Sequence, residues 1–234
     1  MNQGTPTAGT VIVGGGSGSR FGGDKLTVLI AGKPLIAHTL AAFEASGGIS
    51  SIVLVVPAGR EEEFCIIARD AGITKMSGVV TGGGHRHESV QNGLKALSPG
   101  IDFAAIHDAA RPLITPELIT RALETAFRDG ASAVAAPVTD TLHRIDHSGH
   151  AAGTVERSSL RAMQTPQVFR VHEIMELFDA VEGIPTDEVS VAMAVGKKVA
   201  LVEHAEPNLK VTWPQDVVMA EALLLARAKE DSGS

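Results

Sequence analysis

A single α/β domain with a mostly parallel central sheet and helices on both faces is the architecture the sequence predicts. Three observations carry it. Strand-length apolar runs read as buried on both sides, amphipathic segments of helical period lie between them, and the two kinds alternate from Thr10 to Val138. Alternation of this sort builds right-handed βαβ units on a parallel sheet. A chain of 234 residues suits one large domain spanning 1–234.

Taken in order, Thr10–Val13 is a short β-branched run that stops at Gly14-Gly15-Gly16-Ser17-Gly18-Ser19. Pro34–Ala45 places Ile36, Leu40 and Phe43 at i, i+4 and i+7, with Pro34 suited to a first helical turn. Ile52–Val56 is the next strand, bounded by Ser51 and Pro57, and Glu61–Ala71 opens a helix on three glutamates that favour its N-terminus. Cys65, between Phe64 and Ile66, reads as buried filler on that helix. His87–Leu97 sets Val90, Leu94 and Leu97 on one face, and Phe103–Ile106 follows as a strand. Thr115-Pro116-Glu117 reads as N-cap, proline at N1 and acid in the first turn of a helix to Arg128. After the strand Ala133–Val138 the regularity breaks. Residues 139–168 are polar, carry the turn-like Asp146-His147-Ser148-Gly149 and show no helix period, which predicts a protruding β-arm. Val199–Val202 is a late strand, and Thr212 with Pro214 starts a final helix to Lys229.

Composition narrows the function classes. Apolar residues make up 44% of the chain and aromatic ones only 3%, so Val, Ile, Leu and Ala must fill the core, as in buried parallel strands. Lysine and arginine number 20 against 27 aspartates and glutamates, a net charge of −7. A non-specific nucleic-acid or anionic-membrane binder needs the opposite excess. One cysteine excludes an internal disulfide and cysteine-cluster zinc sites. The opening residues are polar and no apolar stretch approaches the ~20 residues of a membrane span, so a soluble, cytoplasmic protein is expected.

The glycine cluster after the first strand is where chemistry enters. Glycines let backbone N–H groups converge on a phosphate, and Ser17 and Ser19 can add hydroxyl donors. The spacing fits neither a G-x-G-x-x-G dinucleotide fingerprint nor a Walker A loop, because Gly32-Lys33 is followed by Pro34 and Gly196-Lys197 by Lys198. What remains is a glycine loop running into Arg20-Phe21-Gly22-Gly23-Asp24-Lys25, two cations able to lie along a triphosphate. His107-Asp108 falls where a strand ends, the active-site edge of a parallel sheet, and Asp108 is the residue suited to hold Mg²⁺ or orient an acceptor. Arg111 suits a carboxylate partner or a ligand contact equally. The His85-x-His87 pair lacks a third ligand at metal-binding spacing.

This loop resembles the signature of nucleotidyltransferases that join a polyol phosphate to a nucleoside triphosphate. Further segments follow in order: Gly82 to Leu94, His107 to Pro112, Pro137 to Thr141, Arg157, Thr165-Pro166-Gln167, Thr186-Asp187-Glu188 and Asn208 to Thr212. Together they are similar to the 2-C-methyl-D-erythritol 4-phosphate cytidylyltransferase family over nearly the whole chain. The resemblance implies a Rossmann-like nucleotidyltransferase fold and transfer of CMP from CTP to a polyol phosphate in isoprenoid biosynthesis. It further implies Mg²⁺ as cofactor and a homodimer formed through the 139–168 arm. Carried over residue by residue, it puts Gly14, Gly15, Gly16, Ser17, Gly18, Gly83, Arg86 and Ser89 on CTP. Arg20 and Lys25 become the cations at the α-phosphate, joined in catalysis by Arg157 and Lys210. Asp108, Thr141, Arg157, Thr186 and Lys210 become the acceptor-binding set. The sequence departs from the family at Asp24-Lys25-Leu26, where Pro-Lys-Gln is usual, and its loop is two residues shorter. Ribitol 5-phosphate cytidylyltransferases share almost all these motifs. Molybdopterin nucleotidyltransferases share only the Arg-Phe-Gly-Gly-Asp-Lys loop, and a non-catalytic nucleotide-binding regulator is the remaining alternative.

Overall fold

The computed structural model describes residues 5–15, 21–180 and 183–232. In chain order the elements are β1 (Ala8–Val13), β2 (Leu29–Ile30), β3 (Lys33–Pro34), α1 (Leu35–Ala45), β4 (Ser51–Val56), α2 (Glu61–Asp70), β5 (Met76–Thr81), α3 (Arg86–Lys95), β6 (Phe103–Asp108), α4 (Pro116–Asp129) and β7 (Ala131–Pro137). They continue with β8 (Leu142–Ile145), β9 (Ala151–Val155), β10 (Arg161–Arg170), α5 (Val171–Ala180), α6 (Glu188–Ala194), β11 (Ala200–Glu203) and α7 (Pro214–Ser232).

The main sheet runs β11-β7-β10-β6-β1-β4-β5. β10 alone lies antiparallel to both its neighbours, β6 and β7, while the other pairings are parallel. β1 sits between β4 and β6, every residue from Ser51 to Val56 and from Phe103 to Asp108 is buried, and the expected doubly covered sheet is what forms. Alternate residues feed two cores. Ile12, Leu54, Phe103 and Val168 join α1, α2, α4 and α7 on one face. Val11, Val55, Ile106 and Phe169 join α3, α5 and α6 on the other. Side chains of a strand point alternately up and down, so continuous apolar runs are what two covered faces require.

Local signals act as expected at α4. Thr115 Oγ1 accepts a hydrogen bond from Leu118 N at 3.3 Å, Pro116 takes the first helical position, and Gly130 ends the helix at φ 88° with its N–H on the Ala126 carbonyl. At α7 the cap differs from the expected threonine: Asp216, within the first turn, accepts from the backbone N–H of both Thr212 and Trp213 at 2.8 Å.

Three expectations are corrected. The arm is shorter than 139–168, because Arg161–Arg170 is not part of it but forms β10 in the middle of the sheet. Its polar residues Arg161, Gln164, Thr165 and Gln167 hide that strand from a hydrophobic pattern, and its register shifts between Met163 and Gln167. What protrudes is the β8–β9 hairpin, whose strands pair only with each other and whose turn is tied by Asp146 accepting from Ser148 N and His150 N. Secondly, Cys65 is exposed. Phe64 and Ala68 set the buried face of α2 at i and i+4, and the next position turns outward. Thirdly, the structure adds β5, α5 and α6: β5 and α6 are short elements mixed with polar residues, whereas α5 carries Val171, Ile174, Met175 and Phe178 at helical spacing, a pattern that the elements expected from sequence do not include. Among the described residues no helix is long and apolar enough to cross a membrane.

Candidate active site

The C-terminal ends of β1 and β6 open into a cleft of about 670 Å³ that brings together Gly14, Gly15, Lys25, Gly83, Arg86, Ser89, Asp108 and Lys210. Gly16, Ser17, Gly18 and Arg20 lie outside the described residues. The cleft floor needs glycine. A Cβ on Gly14 would stand 2.7 Å from the Leu26 side chain and 3.0 Å from the Val55 carbonyl, and Gly14 N donates to that same carbonyl at 2.7 Å. Glycine there keeps the chain close enough to the sheet to present its backbone to a ligand.

A second turn faces the first. Gly83 N donates to Ser89 Oγ at 3.0 Å, and that hydroxyl donates onward to the His85 carbonyl at 3.2 Å. Glu88 accepts from His85 N at 3.1 Å, fixing the entry to α3. A Cβ at Gly83 would come within 2.4 Å of the Glu88 Cβ. Ser89 is 2% exposed. Its hydroxyl braces the turn, and Ser89 also lines the cleft expected to hold CTP.

Arg86 leads α3 into the cleft. Its two terminal nitrogens meet the Glu188 carboxylate at 2.5 and 3.2 Å, and its Nε reaches Asp108 Oδ1 at 3.4 Å. Such a fork-to-fork pair fixes the guanidinium plane as well as its charge. Burial disfavours that charge, but the carboxylates of Glu188 and Asp108 outweigh it and hold the Arg86 pKa above its ordinary value.

Asp108 is the centre of the arrangement. Oδ2 accepts from Lys210 Nζ at 2.9 Å and Arg111 Nε at 3.3 Å, while Oδ1 faces Arg86. Burial alone would raise its carboxyl; the charges of Lys210, Arg86 and Arg111 overcome that and hold it well below the usual carboxylate range. Behind it His107 is fully buried, and desolvation pushes its pKa down to about 3. A neutral ring fits its contacts: Nε2–H donates to the Arg111 carbonyl at 3.4 Å, and Nδ1 accepts from the Thr165 hydroxyl at 3.0 Å. The same hydroxyl oxygen accepts from Asp108 N at 3.1 Å. Arg111 also donates to the Asn208 carbonyl at 2.8 Å, and Lys25 Nζ to the Val211 carbonyl at 2.9 Å, so both side chains are tied to the Asn208–Thr212 segment that carries Lys210.

The other predicted residues stand apart from this cluster. Thr141 and Arg157 flank the hairpin, both exposed, with Arg157 donating to the Thr139 carbonyl. Thr186 is exposed before α6 and donates to Ser190 Oγ at 3.3 Å. Glu188, Thr165 and Asn208 join the network, and nothing in their motifs assigns them a role within it. Asp187, by contrast, caps α6 as an N-terminal acid should, accepting from Ser190 N at 2.9 Å.

Asp108 does not fit as a magnesium ligand. Three fixed cations already surround its oxygens, and a divalent ion there would meet their repulsion at close range. Asp24 and Glu188 are likewise taken up, by Arg60 and Arg86. His85 and His87 stack at 5.8 Å, and among the described residues no group of three or more His, Cys, Asp or Glu side chains is arranged to hold a metal.

Residues 9–226 match the family described as 2-C-methyl-D-erythritol 4-phosphate cytidylyltransferase. The chain belongs to this family. Among its cytidylyltransferase relatives, a protein of that name from Cereibacter sphaeroides is 43% identical over 226 residues, covering 95% of this chain and 99% of the relative. One from Alkaliphilus metalliredigens is 38% identical over 224 residues, covering 93% and 92%. The crystal structure of the cytidylyltransferase from Thermus thermophilus superposes with a TM-score of 0.72 at 32% identity, over 93% of this chain and 98% of that one. That of 4-diphosphocytidyl-2C-methyl-D-erythritol synthase from Anaerococcus prevotii gives 0.83 at 25% identity, over 94% and 96%. These relatives favour the methylerythritol phosphate cytidylyltransferase reading over its ribitol, molybdopterin and regulatory alternatives.

Proposed function

We propose that the protein transfers CMP from CTP to 2-C-methyl-D-erythritol 4-phosphate and releases pyrophosphate. Within the cytidylyltransferase family, one observation carries the assignment to this cleft: Lys25, Arg86 and Lys210 converge beside two glycine turns at the C-terminal edge of the sheet. A phosphate oxygen of the acceptor attacks the α-phosphorus of CTP, forming one P–O bond while the bond from the α-phosphorus to the β-phosphate oxygen breaks. Both reactants are anions, so the protein's task is to position them and neutralise charge that builds on the α-phosphoryl oxygens. An acceptor phosphate is already ionised and calls for no general base.

In this reading Lys25, with Arg20, lies along the triphosphate, and the Gly14-Gly15 and Gly83-Gly84 backbones hold the nucleotide. Gly16, Ser17 and Gly18, outside the described residues, are assigned to CTP with them. Lys210, held by Asp108, points positive charge at the place where the two phosphates meet. Asp108 orients that cation rather than binding metal, and the substrate is the magnesium complex of CTP, with the ion carried on the phosphates. Thr186 contacts the acceptor from the α6 side. Thr141 and Arg157 act from the hairpin of a second copy of the chain, making the active form a homodimer. The exposed hairpin, whose outer edges pair with no strand among the described residues, supports this. A cytoplasmic location accords with a pathway of small soluble phosphates. Pyrophosphate release measured with CTP and each of methylerythritol 4-phosphate and ribitol 5-phosphate tests the assignment: turnover with the first is expected, and turnover with the second alone would overturn it.

A further inference from the structure

We propose that Arg60 is a positioning residue for Lys25 and acts through Asp24, a role that deepens the cytidylyl-transfer reading and rests on it. Phe21 packs against the core, but the two glycines that follow it give the backbone leading to Lys25 no side-chain hold. Gly22 adopts φ 78°, and a Cβ on either Gly22 or Gly23 would have no atom within 4 Å among the described residues. Anchorage resumes at the next residue. Asp24 Oδ1 accepts from Leu26 N at 3.1 Å, and Oδ2 accepts from Thr27 Oγ1 and from Arg60 Nη2, both at 2.6 Å. Those bonds close a small ring of backbone around Lys25 and tie it to a residue 36 positions away from Asp24.

Arg60 is itself held. Its Nε and Nη2 donate to the two Glu63 carboxylate oxygens at 2.8 Å, and its guanidinium lies 4.9 Å from the ring centroid of Phe64, which is fully buried. A chain of contacts thus runs from the core through Phe64, Arg60 and Asp24 to Lys25. On the far side Lys25 Nζ meets the Val211 carbonyl, next to Lys210. Arg60 and Asp24 both line the cleft beside Lys25. A guanidinium gripped by two carboxylates has its charge already answered, which suits a brace and not a grip on triphosphate. The pair is about one-third exposed, so it adds little to folding stability. Its leverage is on geometry, because displacing a reacting cation by about 1 Å can cost on the order of a hundredfold in rate.

The test compares Arg60→Ala, Asp24→Asn and the double variant in the full chain. It measures kcat, KM for CTP and melting temperature, and follows Lys25 acetylation by acetic anhydride through peptide mass spectrometry. Each single change is expected to lower kcat by about ten- to a hundredfold while KM for CTP moves by less than about threefold. The double variant should be no slower than the slower single one, and Lys25 should acetylate faster in all three. If Arg60→Ala instead raises KM with kcat intact, Arg60 contacts the triphosphate directly and the proposal is wrong. Losses that multiply in the double variant, or an unchanged Lys25 labelling rate, overturn it equally. Should Arg60→Ala not fold, Asp24→Asn breaks the same pair from the other side and decides alone. If the unaltered protein shows no turnover, the functional reading fails, and Lys25 labelling still reports on the brace.

Discussion

Arg86 and Arg157 stand in opposite surroundings. Arg86 is mostly buried, its fork filled by Glu188 and its Nε turned to Asp108. Arg157 is exposed beside the hairpin, with a backbone carbonyl for a partner. The difference separates a preorganised half of the site from an unfinished one. In the cleft Arg86, Arg111 and Lys210 are held by Glu188 and Asp108 before any substrate arrives, so little reorganisation accompanies reaction. Beside the hairpin Arg157 forms no ion pair with a carboxylate among the described residues. In the proposed dimer, substrate bound to the second subunit supplies the opposing charge.

The contrast is broken or sharpened by changing one side at a time. Lys210→Ala should lower kcat by about a hundred- to a thousandfold, read as pyrophosphate release, because the cation nearest Asp108 is lost from a preorganised site; a loss under tenfold would place the cleft on the same footing as the hairpin. Arg157→Ala should be inactive too, yet mixing it with Lys210→Ala after unfolding and reassembly should recover about a quarter of wild-type activity, since half of random dimers carry one intact site. No recovery would assign the hairpin to its own subunit.

Smaller effects concern stability. Asp108→Asn leaves three cations around a neutral group and should cost about 3 kcal/mol in urea unfolding at neutral pH. The Asp108 pKa is lowered in the folded state, so its contribution is present above the unfolded-state value and fades as pH falls; the gap between wild type and variant should narrow in acid. His107 titrates at about 3 when folded against an ordinary value of 6.5, so the unfolded chain takes up its proton first as pH drops below 6.5. Stability should fall there by about 1.4 kcal/mol per pH unit from this group, and His107→Gln should remove that slope. Cys65→Ser, on the exposed side of α2, should shift stability by no more than about 0.5 kcal/mol.

Much of this is legible in one dimension. Ile52–Val56 and Phe103–Ile106 announce buried strands through unbroken apolar runs, and Thr115-Pro116-Glu117 marks the start of α4. The candidate residues at Gly14, Gly83, Arg86, Asp108 and Lys210 can be named because their motifs are short and local. β10 cannot be read this way. It is a central strand whose polar residues Thr165 and Gln167 serve the site, and a polar central strand looks like a loop to any hydrophobic pattern. The motif around Ser89 puts that residue at the cleft, but its bonds to Gly83 N and the His85 carbonyl could not be read from it, because a hydroxyl's partner depends on the fold of a turn.

By itself the sequence determined the strand–helix alternation of the first half, the two-faced core and the set of charged residues available for phosphate chemistry. Those follow from periodicity, turn residues and composition, which act over a few positions along the chain. Only the tertiary structure decided which charges meet. Arg86 and Glu188 are 102 residues apart, as are Asp108 and Lys210, and Arg60 and Asp24 are separated by 36. Electrostatic attraction between such groups depends on distance and burial, and neither exists until β1, β4 and β6 bring their ends to one edge.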